Sequence, residues 1–531
     1  MTAPYTETTQ RAVDTVRANA LGDLLHRTAV RLPDKTAIVD GDVRLTYAEF
    51  DATVNRCANT LTARGLRKGD RLVLISHNCW QFVVLNFACA RVGVILVPVN
   101  FGLGATEIAF ILDHSVATGV IVEDRLAPTA IEAVAIAGTD IAVRGWIGLS
   151  GVAPIAGWEP VEGWMTSGDA SAPTLIIADD DPVRMMYTSG TESRPKGVLL
   201  SSKSLMTQYM SCIIDGGMEA SDIEIHALPL YHCAQLDCFL STDVYLGATS
   251  IILHVPDAAN ILATIESERV TKLFCPPTVW IALLRHPDFD TRDLSSLRKG
   301  YYGAAAMPIE VLRELASRLP QVRLWNFYGQ TEMSPLATIL QPHEQLDRAG
   351  SAGRAALNVQ TRVVDDEDNP VPVGEVGEIV HRSPHAALGY YNDEEKTAAA
   401  FRNGWFHSGD LGVIDKDGYL SVVDRKKDMI KTGGENVASR EVEEAIYLLD
   451  GVAEVAVFGV PHPKWIEAVA AVIVPKQGAV LTREQVDEHV ATVLAGYKRP
   501  KFVVFAQALP KNPSGKILKK DLRVEHARIA D

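Results

Sequence analysis

The stretch MMYTSGTESRPKGV, Met185 to Val198, runs from an apolar, strand-like start into Thr188, Ser189, Gly190 and Thr191 and ends around Lys196. Small residues let backbone N–H groups approach phosphate oxygens, hydroxyls donate further bonds, and a lysine adds positive charge. The segment therefore reads as a phosphate-binding loop. Gly190 and Lys196 keep the spacing of the nucleotide-hydrolase P-loop GxxxxGK[ST]. Pro195 replaces the glycine before the lysine, however, and Gly197 replaces the hydroxyl residue after it, which argues against that loop. The plain alternative is a polar hairpin.

Outward from this loop, RLVLIS (71–76), VGVILVPV (92–99), TGVIVED (118–124) and ATSIILHV (248–255) are short and rich in β-branched residues, and they read as strands. Helical patterns such as Thr106 to Asp113 and Ala258 to Val270 lie between them. This alternation predicts an α/β body of parallel sheets covered by helices, with a smaller β subdomain. The apolar run from Phe82 to Val99 is interrupted by Asn86, Arg91 and Pro98, and so reads as a buried helix followed by a strand, with no integral membrane segment. Beyond the turn-rich stretch 407–437 a small α+β domain of about a hundred residues is expected. Ser439 is expected to cap a helix with Val442, Ala445, Ile446 and Leu449 on one face. Strands at 452–460 and 468–475 follow, then a helix with a Thr482/Gln485 capping box that Gly496 ends. The expected division is 1–426 and 427–531.

The 531 residues carry 51 Lys and Arg against 66 Asp and Glu, a net charge of -15, which gives no global attraction to nucleic acid or an anionic membrane. An anionic ligand must then be held by local chemistry. Seven cysteines without a CxxC pair or zinc-like spacing suit a reducing cytoplasm and small buried thiols. The N-terminus lacks the apolar centre of a signal peptide, so a soluble, cytoplasmic chain is expected.

Met185 to Val198 resembles the loop TSGTTGxPKGV of the adenylate-forming superfamily, which comprises acyl-CoA synthetases, luciferases and peptide-synthetase adenylation domains. Glu192 and Ser193 replace the family's threonine and glycine, which sets a carboxylate beside the expected triphosphate. Further matches follow in family order. Tyr302, Gly303, Ala304 and Ala305 resemble the segment packed against adenine. NFYGQTE, Asn326 to Glu332, resembles the nucleotide motif: with Asn326 and Gly329 around it, Tyr328 offers a π face, Thr331 a hydroxyl for the α-phosphate, and Glu332, with Thr191, a hard oxygen for Mg2+. Asp410 in WFHSGDLG suits the ribose hydroxyls. In DRKKDMIK the resemblance assigns ribose contact to Arg425, the hinge to Lys427 and nucleotide contact to Lys431. Lys516, in LPKNPSGKILKKDL, matches the catalytic lysine, whose ammonium can steady two anionic reactants. Gly433 and Gly434 match the glycines that line the CoA channel after domain rotation.

The resemblance implies an ATP-dependent acid–CoA ligase: a carboxylic acid and magnesium ATP form an acyl-adenylate and pyrophosphate, and coenzyme A then displaces AMP. His232 in PLYHCAQLDCF stands where amino-acid-activating relatives place an aspartate, so an amino acid is disfavoured. Tyr231, His232, Leu236, Tyr302 and Met307 are the candidate acyl-pocket residues, with Cys238 and Tyr301 nearby. Their apolar character favours a medium- or long-chain fatty acid. An aryl acid of the coumarate or benzoate type, transfer to a carrier protein, luciferase-like oxidation and a non-catalytic nucleotide-binding protein are the alternatives, and homodimerisation is left open.

Overall fold

Short valine- and isoleucine-rich runs become central strands because helices cover both of their faces. The computed structural model describes residues 6–151, 155–188, 195–305, 307–476, 478–511 and 517–530. A nine-stranded sheet has the spatial order 354–355, 336–340, 323–329, 299–303, 272–274, 223–226, 249–252, 36–40 and 43–46, with its six strands from 323–329 to 36–40 parallel. A second sheet of eight strands centres on Arg71–Ile75 and Ile95–Pro98, and a third of four antiparallel strands covers Gln360–Val364, Gly377–Arg382, Phe406–Ile414 and Leu420–Arg425. The expected α/β body with a smaller β unit is thus present.

Between the two large sheets, Trp80–Val92 forms a helix in which every residue from Gln81 onward is buried. Its lack of a polar face suits a core position. Gly93 ends it in the left-handed conformation, at φ 69°. The charge of Arg91 is satisfied by the Gly22 carbonyl at 3.0 and 3.1 Å, by Asn55 at 2.6 Å and by Asp51 at 2.8 Å. No helix among the described residues is long and apolar enough to cross a membrane.

The expected phosphate loop spans an antiparallel hairpin, Pro182–Thr188 against Lys196–Ser201, with Thr188 opposite Lys196. A P-loop runs from strand into helix, so this geometry excludes it. Ser189, Gly190 and Thr191, with Glu192 and Ser193, lie outside the described residues, as does Lys516.

The C-terminal β unit pairs Val452–His462 with Ile466–Pro475 and adds Phe502–Phe505 in parallel. Helices Ser439–Tyr447 and Arg483–Val493 share an apolar core that includes Val442, Ile446, Val457, Val486 and Val490. The Thr482/Gln485 capping box is present. Two expected helix ends are corrected. Ser439 is the first helical residue after Ala438, because Asp424 already accepts its N–H at 2.5 Å and Lys519 donates to its hydroxyl at 2.7 Å. The second helix stops at Val493, where Leu494 turns extended, before Gly496 is reached. The helix expected over 258–270 ends at Ser267.

All seven cysteines are buried and free. Burial pushes the Cys57 and Cys79 thiols up to about 12, so almost none is thiolate near neutral pH. A neutral disulfide reagent at pH 8 is expected to titrate none of the seven thiols in native protein and all seven after denaturation. A fast native thiol, read by absorbance, would contradict this packing.

Candidate active site

The parallel strands Lys299–Gly303 and Arg323–Gly329 end together, Tyr302 opposite Asn326 and Gly303 opposite Phe327. A Cβ on Gly303 would lie 2.5 Å from the Phe327 carbonyl oxygen, and one on Gly329 1.9 Å from that of Pro335. Only glycine fits either approach. Ala304 then leaves the first strand at φ 63°.

Tyr328, on the last turn of the second strand, donates its hydroxyl to Asp410 at 2.7 Å. Asp410 faces Arg425 across the antiparallel pair, with Arg425 Nε 3.4 Å from its carboxylate. Burial, and then the Asp410 charge, raises the Tyr328 phenol well above its ordinary range and keeps it a donor. His381 lies 6.1 Å from the Tyr328 ring, and burial lowers it to about 3, so its imidazole is neutral. An aromatic face, a carboxylate and a guanidinium thus meet without a second cationic ring, which suits a base and a ribose. The Asn326 amide is bonded to the Ser351 carbonyl at 3.1 Å.

Three residues beyond Tyr328, the turn Thr331–Met333 carries the second half of the site. Tyr390 donates to Glu332 Oε1 at 2.9 Å, and the Lys196 ammonium sits 4.8 Å over the same tyrosine ring. Gly389–Tyr390 is a short strand paired with Val198 and Leu199, so Tyr390 rides on the hairpin that carries Lys196. Thr331 Oγ1 is 3.3 Å from Cys233 Sγ, and His232 Nδ1 accepts the Ala234 N–H at 3.2 Å. Lys196 and Glu332 thus meet at Tyr390, with Thr188 opposite Lys196 in the hairpin, and Thr331 and His232 flank Cys233. The second carboxylate oxygen of Glu332 accepts no hydrogen bond from the described residues, and a hard oxygen donor fits Mg2+; Thr191 adds nothing to this test, since it lies outside them.

Tyr390 was not singled out in the sequence. Its visible signal is an aromatic pair after Gly389, whose Cβ would lie 2.7 Å from Thr397. Other expected residues sit apart from this cluster. The Tyr302 hydroxyl is bonded to Gln345 at 2.6 Å, and Met307 packs with it in the core around Trp280. Leu236 is fully buried with Leu230 and Leu240, and Cys238 receives a bond from Gln208. Tyr301 is a core residue stacked on Trp325, not a pocket wall. Tyr231 lies edge-on to Phe101, its hydroxyl buried without a partner among the described residues. Lys427 is in the turn between Leu420–Arg425 and Ile430–Thr432, Lys431 is exposed with its N–H bonded to Glu467, and Gly433 and Gly434 form the next hairpin at φ 60° and 90°.

A large α/β body carries a small C-terminal β unit, and the ends of its strands bring together an aromatic ring, two carboxylates, a guanidinium and an ammonium. Residues 25–391 match the AMP-binding enzyme family and residues 441–516 the AMP-binding enzyme C-terminal domain. The chain is 36% identical over 508 residues to a feruloyl-CoA synthase of Amycolatopsis sp, covering 96% of this chain and 99% of that one. It is also 36% identical over 509 residues to the long-chain-fatty-acid–CoA ligase FadD13 of Mycobacterium tuberculosis, covering 96% and 98%. The solved anthranilate CoA ligase AuaEII in complex with anthranoyl-AMP superposes with a TM-score of 0.89 at 27% identity, covering 97% and 98%. The chain belongs to the AMP-binding enzyme family as an adenylate-forming acyl-CoA synthetase, an acid–thiol ligase.

Replacing Tyr328 by Phe keeps the ring and removes the bond that orients Asp410. AMP affinity, read by calorimetry, is expected to fall roughly tenfold, about 1.4 kcal/mol. Unchanged affinity would show that this bond does not shape the nucleotide site.

Proposed function

We propose that the enzyme activates a medium- or long-chain fatty acid as its acyl-adenylate and transfers the acyl group to coenzyme A. The convergence of Tyr328, Asp410 and Arg425, and of Lys196, Tyr390 and Glu332 with Thr331 beside it, at strands and a turn of three sheets carries this reading. Tyr328 packs against adenine, and Asp410 and Arg425 take the ribose hydroxyls. Lys196 and Thr331 hold phosphate oxygens, with Thr188, Ser189, Gly190 and Thr191 on the loop. Glu332 holds Mg2+, whose positive charge offsets the charge of the ATP phosphates.

His232 borders the acid carboxylate. One carboxylate oxygen attacks the α-phosphorus, the bond to the β-phosphate oxygen breaks, and pyrophosphate leaves with the electron pair. The sulfur of coenzyme A, its proton lost, then attacks the acyl carbon and AMP departs. Lys516 serves the first step. After rotation about Lys427, Gly433 and Gly434 admit the pantetheine arm to the second, with the mobile domain taken as 427–531.

Leu236, Tyr302 and Met307 are packed in the core apart from the site, so the aliphatic preference is supported by the resemblance to the long-chain-fatty-acid–CoA ligase FadD13. An aryl acid is the second reading, favoured by the resemblance to a feruloyl-CoA synthase. AMP release with coenzyme A across octanoate, palmitate, benzoate and coumarate separates the two, and preference for the aryl acids would overturn the first.

Lys516→Ala is expected to lower acid-dependent pyrophosphate exchange at least a hundredfold, about 2.7 kcal/mol or more, yet leave conversion of preformed acyl-adenylate within a few fold of wild type. Equal loss of both half-reactions in folded protein counts against its role. Gly434 needs φ 90°, so Gly434→Leu is expected to keep adenylation and slow thioester formation; normal turnover with coenzyme A would remove the channel assignment.

A further inference from the structure

Asp237 lies in PLYHCAQLDCF five residues after His232, and the structure turns it away from solvent altogether. Its carboxylate is paired with Arg184, a residue 1% exposed on the strand Pro182–Thr188. Arg184 also donates to Asn86 on the buried helix Trp80–Val92, and the Tyr209 hydroxyl donates to Asp237 at 3.1 Å. Four elements therefore meet at one ion pair. Two of them lead directly into the site: Thr188 is four residues beyond Arg184, and the segment with His232 runs into the π-helix Ala234–Leu240 that holds Asp237.

A buried ion pair contributes little net stability, because desolvation offsets its attraction, and well-packed apolar residues often serve the fold as well. Here the pair is also incompletely satisfied: Arg184 Nε, Asp237 Oδ2 and Asn86 Nδ2 have no hydrogen-bond partner among the described residues. Stability is thus a poor reason for charges at this point. Geometry is a better one. π-helical turns are rare overall yet frequent at functional sites, and this one is buried from Gln235 to Leu240. The pair ties it to the strand of the phosphate hairpin.

We propose that Arg184 and Asp237 are positioning residues that align the carboxylate side of the site with its phosphate side during adenylation. The proposal rests on the reading that the enzyme forms an acyl-adenylate. Alignment of two separate reactants matters in the first half-reaction, where misplacement by about 1 Å can cost on the order of a hundredfold. It matters far less once acid and nucleotide are one covalent molecule.

The test compares the double variant R184M/D237L, which removes both charges together, with Asp237→Asn, which retains the bonds to Arg184 and Tyr209 with the charge gone. Each is assayed for melting temperature, for acid-dependent pyrophosphate exchange, and for conversion of the preformed adenylate of octanoic acid by coenzyme A. The double variant is expected to melt near wild type, to lose tenfold or more in kcat for exchange, and to convert the preformed adenylate within twofold of wild type. Asp237→Asn is expected to show the same split at smaller size. Parallel loss of both half-reactions, or loss of neither, overturns the proposal, and if the double variant does not fold, the split in Asp237→Asn decides alone. If wild type lacks acid-dependent exchange with any acid, the adenylation reading falls and the proposal with it; if wild type exchanges and the variants show no split, only the proposal falls.

Discussion

The close approach of the strands Lys299–Gly303 and Arg323–Gly329 is the constraint on which the site depends. Their ends come so near each other and the turn beyond that a single methyl group at Gly303 or Gly329 would strike a backbone oxygen, at 2.5 or 1.9 Å. Because they end in register, Tyr328 reaches Asp410 while Glu332 meets Tyr390, which pairs with the hairpin of Lys196. Ligands of open parallel sheets bind beyond the carboxyl ends of the strands, and here two sheets and a β unit meet at such an edge.

Electrostatics sets the second condition. A chain of net charge -15 must gather its anionic substrates against its own field. The local charges come as opposed partners: Arg425 faces Asp410, and Lys196 shares Tyr390 with Glu332. Such pairing holds the cations in place before any substrate arrives, so little reorganisation is left for the reaction. Deeper in, Lys272 pairs with Asp243 beside Glu224, whose carboxyl burial pushes up, and Arg184 pairs with Asp237, so each of these buried cations has an acidic partner.

Much of this was legible in the sequence because its chemistry is local. The Thr482 capping box depends on residues within a few positions of one another and stands in the structure as read, while the segment around Lys196, read as a phosphate loop, joins the two strands of a hairpin, and Thr331 and Glu332 lie in a turn. Ser439 and Gly496 misled because capping residues were judged without their surroundings: Asp424, fifteen positions away, already holds the Ser439 N–H, and the second helix unwinds before its glycine. Arg184 carried no local signal, and Tyr390 only that of an aromatic pair after a glycine. Each acquires its place from strand pairing with distant segments, Gly389–Tyr390 on Val198 and Leu199, and Arg184 beside Leu96.

By itself, then, the sequence determined the class of chemistry, since short motifs, each made of consecutive residues, follow the order of the adenylate-forming superfamily they resemble. It determined the alternating α/β character too, because side-chain periodicity is a property of each segment alone. Only the tertiary structure decided which side chains face one another: that Tyr390 bridges Lys196 and Glu332, that Tyr301 belongs to the core, and that Asp237 is bound to Arg184. The reason is physical: burial and charge pairing arise between segments brought together by packing, and a side chain's partner across that packing is not written in its neighbours.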